Sequence, residues 1–239
     1  MKIMAHTVIG YPTLLESKAV IETYIDKGFE ILELQIPFSH PTADGAVLTQ
    51  ANRVAALEVS TQEAFDFLKE IREDAPSQKM MVMTYLNKVF AFGIQAFCEQ
   101  LRACEIPYLI IPDLPFDSPL AKQIHEHDFV QLVPVLSANV DEARLKVAMS
   151  QKPDYVYLMA DFKITGTGFS LHKNLQNLVN DLKELHPAKV GLGFGIKTAT
   201  EVKAALNLAD FAIMGSALTV AIDEGTLLEK VENLRVGLS

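Results

Sequence analysis

Glu33 and Asp44 stand eleven residues apart in the run Leu32-Glu33-Leu34-Gln35-Ile36-Pro37-Phe38-Ser39-His40-Pro41-Thr42-Ala43-Asp44-Gly45. The first lies in an apolar strand and the second in the Pro-, Ala- and Gly-containing loop after it. Leu32, Leu34 and Ile36 would desolvate Glu33 near the carboxyl end of that strand and push its pKa upward, so that a proton could move both ways. Asp44 should be more solvated, stay ionised and play a different part. This is the layout of an acid/base pair. The plainer reading is that a carboxylate at a strand end caps a turn or pairs with a lysine.

The elements that must position the pair follow from the hydrophobic pattern. Short apolar runs near Ile3–Ile9, Ile31–Ile36, Met80–Thr84, Tyr108–Ile111, Val130–Val135, Tyr155–Met159, Val190–Leu192 and Phe211–Met214 alternate with longer amphipathic stretches. Such alternation is the pattern of strand–helix units around a parallel sheet. Leu14 to Lys27 stops at Gly28, Thr61 to Asp74 stops before Pro76, and Asn139 to Met149 stops before Pro153, as helices with stop signals do. Eight units predict an α/β (β/α)₈ TIM barrel in a single domain spanning residues 1–239. An open doubly wound sheet is the competing fold, but no G-x-G-x-x-G follows the first strand.

In a barrel the chemistry gathers at the carboxyl ends of the strands, and the polar and glycine motifs fall there. Glu33 and Asp44 belong to strand two and its loop, Tyr85 and Asn87 follow strand three, and Asp113 follows strand four. Gly193-Phe194-Gly195 after strand seven and Gly215-Ser216-Ala217 after strand eight fit a phosphate cradle. Glycine lets backbone N–H groups approach an anion, and a helix starting near Ser216 would point its positive end at it. Thr165-Gly166 after strand six would complete the ring. Each glycine motif alone is equally compatible with a plain turn; the two together favour phosphate.

Composition excludes other classes. The chain has 239 residues, 49% of them hydrophobic, which is enough for one large core. A formal charge of −9 and the lack of any Lys/Arg-rich run argue against nucleic acid or an anionic membrane surface as the main partner. Cys98 and Cys104 lie in one predicted helix and its exit, so a disulfide framework is not expected and a reducing cytoplasm is the simpler setting. No apolar stretch reaches membrane-spanning length and the N-terminus lacks a signal peptide, which predicts a cytoplasmic protein. The six histidines make no ligand-spaced set, and no Schiff-base lysine stands out, so neither a metal cluster nor Schiff-base chemistry is expected.

The run E-L-x-I-P-F-S-x-P-x-A-D-G closely resembles the signature of the tryptophan synthase α subunit family. The resemblance extends through Gly10-Tyr11-Pro12, Tyr85-Leu86-Asn87, Pro112-Asp113-Leu114-Pro115, Ile164-Thr165-Gly166, Gly193-Phe194-Gly195-Ile196 and Gly215-Ser216-Ala217, in the family's order and spacing. It implies a lyase that cleaves indole-3-glycerol phosphate, a small phosphate ester, into indole and glyceraldehyde 3-phosphate by a retro-aldol reaction without a cofactor. Under it Glu33 shuttles protons and Asp44 accepts from the ring N–H. General acid/base help of this kind gives roughly 10²–10⁴-fold each. Met83, Tyr157 and Phe194 match the apolar slot for indole, with Tyr85 close to the strand-two carboxylate. Thr165, Gly166, Gly195, Gly215 and Ser216 match the phosphate end. Asp113 is expected to organise the loop after strand two.

The chain departs from the family's pattern around these positions. The family usually has Gly at Gln35, Asp at His40, Pro at Ala46 and a small hydroxyl residue at Lys197. Asp161-Phe162-Lys163 stands where the family shows a small, glycine-containing stretch that serves as a lid. The usual helix before strand one is also lacking, so the amino-terminal mouth of the barrel needs another cover. Loops two and six of the family face a β subunit that receives indole. His40 replaces a carboxylate there, so a complementary lysine on an ordinary β subunit would lose its partner, which implies a divergent member with its own matched β-type subunit or one acting alone. Two readings beside an active lyase stay open: a non-catalytic or altered-substrate α-like subunit that binds a phosphate ligand and regulates a β-type partner, and another phosphate-handling isomerase or aldolase on the same barrel.

Overall fold

A computed structural model describes residues 1–159, 164, 165, 168, 169, 173–193 and 195–238, with the side chains of 164, 165, 168, 169, 173 and 174 outside that description. The first half of the chain runs β1 (Ile3–Val8), α1 (Leu14–Asp26), β2 (Ile31–Gln35), α2 (Ala46–Glu58), α3 (Thr61–Asp74), β3 (Lys79–Met83), α4 (Leu86–Phe92), α5 (Ile94–Ala103) and β4 (Tyr108–Ile110). It continues with α6 (Pro119–His125), β5 (Gln131–Leu132), β6 (Val135–Ser137), α7 (Glu142–Ser150), β7 (Tyr155–Met159), β8 (Ile164–Thr165) and β9 (Gly168–Phe169). The last part holds α8 (Lys173–Leu185), β10 (Lys189–Gly193), α9 (Ala199–Leu206), β11 (Phe211–Met214), α10 (Ser216–Asp223) and α11 (Leu227–Leu238).

The main sheet is parallel, in the order β5-β4-β3-β2-β1-β11-β10-β7-β6. Its two ends are pieces of one strand, because β5 and β6 are separated only by Val133 and Pro134. Val133 donates to Leu109 on one side (2.9 Å) and the carbonyl of Pro134 accepts from Tyr157 on the other (2.8 Å). The ring therefore closes into the eight-stranded barrel the sequence predicts. Pro134 has no N–H to give, so the ladder to β7 begins only at its carbonyl. Just below, the Gln131 side chain takes the N–H of Asp154 at 2.8 Å. β8 and β9 form a small antiparallel hairpin in the segment after β7, which the apolar pattern does not predict.

Side chains alternate across each strand, which separates two apolar regions. One packs between strands and helices and includes Ile3, Leu32, Leu34, Val82, Leu109 and Val190. The other fills the barrel and includes Met4, Ile31, Met81, Met83, Ile110, Val133, Tyr155, Phe211 and Ile213. At the amino-terminal mouth Tyr155 meets Tyr108 edge-on, with centroids 4.9 Å apart, and Phe211 at 6.0 Å. The Tyr108 hydroxyl donates to Asp154 at 3.0 Å, and the Lys79 ammonium stands 5.4 Å above the Tyr155 ring. An aromatic floor thus fills the amino-terminal mouth of the barrel.

Capping explains where the helices begin. Ser60 and Glu63 form a reciprocal capping box at α3, and Thr198 and Glu201 form another at α9. Cys98 and Cys104 are free and buried. No helix among the described residues is long and apolar enough to cross a membrane.

Candidate active site

A cavity of about 320 Å³ opens at the carboxyl ends of the strands. Glu33, Asp44, Met83, Tyr157, Gly195, Gly215 and Ser216 line it, bringing together residues from five barrel strands and their loops. The apolar wall continues through Leu48, Ile110, Val135 and Ile213. Thr165 lies in β8, but its side chain is outside the described residues, as are Gly166, Phe194 and the segment Asp161-Phe162-Lys163. Their expected roles rest on the sequence alone.

Asp44 is held from two sides. Its Oδ2 accepts from Gln35 Nε2 at 2.9 Å and from Asn52 Nδ2 at 3.3 Å. Asn52 is fully buried in α2, where its Nδ2 also faces Gln35 Oε1 at 3.0 Å and the Leu48 carbonyl at 2.9 Å, while its Oδ1 accepts from the Phe38 N–H at 3.1 Å. The loop after β2 is thereby tied to the helix that follows it. Tyr85 is buried behind this loop and does not line the cavity; its hydroxyl accepts from the N–H of Ala43 at 3.1 Å. Burial first, and then the nearby Asp44 charge, push the Tyr85 phenol well up, so it stays neutral.

Glu33 is only 2% exposed, and its partner is a residue sequence reasoning missed. The β1–β2 register sets His6 directly beside Glu33. His6 Nδ1 lies 3.2 Å from Glu33 Oε2, and His6 also lines the cavity. Burial pulls the imidazole pKa down, but the charge and hydrogen bond of Glu33, then Asp44 and Gln35, outweigh it, and the net shift is upward. Tyr157 faces the same space. Burial, followed by the charges of Glu33 and Asp44, holds its phenol far above the ordinary value, so it can offer a hydrogen-bond donor without ionising.

The opposite end of the cavity suits an anion. Gly195 has φ +78°, a left-handed conformation that favours glycine. Gly215 precedes α10, which starts at Ser216 as expected, with no side-chain hydrogen bond at its cap. The first N–H groups of α10 therefore remain available at the rim. Gly193 serves packing within the barrel: a Cβ there would meet the Tyr157 hydroxyl at 3.0 Å and Ile213 Cβ at 3.1 Å. Lys197 also lines the cavity and lies just before α9.

Asp113 has a contact at the neighbouring strand's loop. Its Oδ1 accepts from the N–H of Leu86 at 2.9 Å, so it steadies the start of α4 after β3, next to Tyr85, whose hydroxyl holds the loop after β2. Two further departures noted in the sequence also gain a location. Gln35 is part of the Asp44 clamp, and His40 sits exposed in the loop, with Nδ1 2.8 Å from the Ser39 hydroxyl and its ring edge-on to Phe38.

Residues 2–236 match the family model described as tryptophan synthase alpha chain. The tryptophan synthase alpha chain of Syntrophotalea carbinolica is 34% identical over 229 residues, covering 93% of this chain and 88% of that relative. The one from Desulfotalea psychrophila is 31% identical over 227 residues, with the same coverage of 93% and 88%. Among solved structures, the tryptophan synthase subunit alpha of Campylobacter jejuni has a TM-score of 0.84 at 27% identity and covers 97% of this chain and 94% of its own. A chain of the tryptophan synthase complex of Pyrococcus furiosus has a TM-score of 0.85 at 26% identity, covering 98% and 97%.

Proposed function

Because the chain belongs to the tryptophan synthase alpha chain family, we propose that this cavity cleaves indole-3-glycerol phosphate to indole and glyceraldehyde 3-phosphate. It is a carbon–carbon lyase of tryptophan biosynthesis. The observation that carries the reading is that one cavity joins two differently held carboxylates, an apolar wall and a helix N-terminus.

The roles follow from what each end can do. Glu33 donates a proton to the indole carbon and recovers one from the glycerol-chain hydroxyl as the carbon–carbon bond breaks. Asp44, clamped by Gln35 and Asn52, accepts from the ring N–H and stabilises the positive charge that develops there. Met83 and Tyr157 flank the ring, with Phe194 as the expected third member of the slot. Tyr85 acts through the loop that carries Asp44. Gly195, Gly215 and Ser216 take the phosphate through backbone donors, with Thr165 and Gly166 completing that end.

Residues 1–239 act as one barrel domain in the cytoplasm. The ring uses strands from Ile3 to Met214, so no part of it closes without the rest. The partner is a β-type tryptophan synthase subunit, with a contact surface altered at His40. The deciding experiment measures indole release from indole-3-glycerol phosphate by the purified chain, without and then with a β subunit. Glu33→Gln should abolish release with the circular dichroism spectrum unchanged, and Asp44→Asn should lower it strongly but less completely. Native-rate release by Glu33→Gln refutes the mechanism.

A further inference from the structure

The barrel buries two ionisable side chains against each other at the cavity wall, and only one of them is used by the mechanism above. His6 is 4% exposed and Glu33 2%. Each interrupts an apolar strand, and the β1–β2 register brings them side by side, with Nδ1 3.2 Å from Oε2. His6 Nε2 and Glu33 Oε2 are both buried without a hydrogen bond of normal geometry among the described residues, so the Nδ1–Oε2 approach is an ion-pair contact. A buried imidazole with one nitrogen committed to a carboxylate and the other left unpaired is costly if its only task is to fill space. An apolar residue would pack there without that cost.

We infer that His6 is a positioning residue that holds Glu33 through the Nδ1–Oε2 contact and shares one proton with it, so that the two act as a single acid/base unit. The inference rests on the reading of Glu33 as the proton shuttle. During the reaction Glu33 gives its proton to the indole carbon and becomes a carboxylate. The imidazole N–H facing Oε2 stabilises that charge in this buried place. When Glu33 takes the hydroxyl proton the carboxyl group is restored, and His6 ends with the protons it had at the start. The groups facing His6 are Glu33 and Gln35 from β2, Asp44 from the loop after it and Tyr157 from β7, with Lys197 and Ser216 on the cavity rim. Tyr157 stays neutral, so the charge of Asp44 outside the pair favours keeping a proton on it.

The sign of the pH dependence follows. Activity requires the singly protonated pair, which persists until pH rises through the raised pKa of His6. Without His6 no imidazole holds a proton on the pair, so the alkaline limb of the kcat profile retreats toward acid.

Two measurements test this. The first is an NMR titration of the His6 imidazole in the ligand-free protein, wild type against Glu33→Gln. His6 should titrate above the ordinary 6.5 in the wild type and bind its proton at least about tenfold more weakly in the variant, because burial loses its main counterweight. The second is the pH profile of kcat for His6→Gln, which keeps a hydrogen-bonding side chain but no titrating one. Its alkaline limb should move to lower pH by at least about tenfold in proton concentration. An unmoved His6 titration in Glu33→Gln, or an unmoved limb in a folded His6→Gln, overturns the inference. The titration needs no turnover and no second variant, so it decides the question even if indole is not released or His6→Gln fails to fold.

Discussion

Replacing Gln35 with leucine tests whether Asp44 must be held in place to work. Gln35 Nε2 donates the shorter of the two side-chain hydrogen bonds to Asp44 Oδ2, 2.9 Å against 3.3 Å from Asn52. Leucine has similar volume and no donor. A hydrogen bond to a charged group is worth roughly 1.5–3 kcal/mol, and about 1.36 kcal/mol corresponds to a tenfold change in rate. If that bond fixes Asp44 where charge develops on the indole ring, kcat should fall roughly 10- to 100-fold. KM should change little, since the interaction is made in the transition state. The fold should tolerate the change, because Asn52 keeps its bonds to the Leu48 carbonyl and the Phe38 N–H. Loss of its contact with Gln35 Oε1, a neutral hydrogen bond worth about 1 kcal/mol, would lower the melting temperature by roughly 2–4 °C in a domain of this size. Steady-state indole release and thermal melting on the same preparation give both numbers. A kcat within about twofold of wild type in a protein that melts normally refutes the reasoning, and leaves Gln35 as a filler.

Two further outcomes are expected. Gly195→Val forces a β-branched residue into a backbone at φ +78° on the cavity wall, so calorimetry should find glycerol phosphate binding weakened with the circular dichroism spectrum intact; unchanged affinity returns this glycine to a plain turn. The wild-type chain should bind a conventional β subunit poorly, and His40→Asp should improve binding and any activation of indole release, since a mismatched charge at a buried contact costs a few kcal/mol. Tight, strongly activating association by the unmodified chain defeats that expectation.

The barrel was legible because a parallel strand buried on both faces reads as an apolar run, and the runs found in the sequence coincide with β1 to β4, β7, β10 and β11 within a residue or two. Strand five differs because a proline interrupts its ladder, a detail that hydrophobicity does not register. The hairpin of β8 and β9 has two-residue arms, too short for any period to show. Glu33 and Asp44 stood out by residue type, whereas His6 did not, since one histidine in an apolar strand carries no signal by itself. Its signal was relational: His6 and Glu33 each interrupt an apolar strand, and parallel neighbours in register bring such interruptions together. Asn52 was hidden for the same reason, because its partners lie in β2 and the loop before its helix.

The break at Pro134 divides the cavity wall into two mechanical regimes. Across the barrel from it, Asp44 is bound to both β2 and α2, and Glu33 to β1. On the Pro134 side, Val135, Tyr157 and Met159 line the cavity beside the seam where the ring closes through short pairings on either side of a residue that cannot donate. Thermal breathing of the ring should concentrate at this seam, with amide exchange faster there than along β1 and β2. Tolerance for a ligand's shape and precision for its chemistry are thus assigned to opposite walls, and bulkier apolar groups would be accommodated by opening the seam without disturbing the carboxylates.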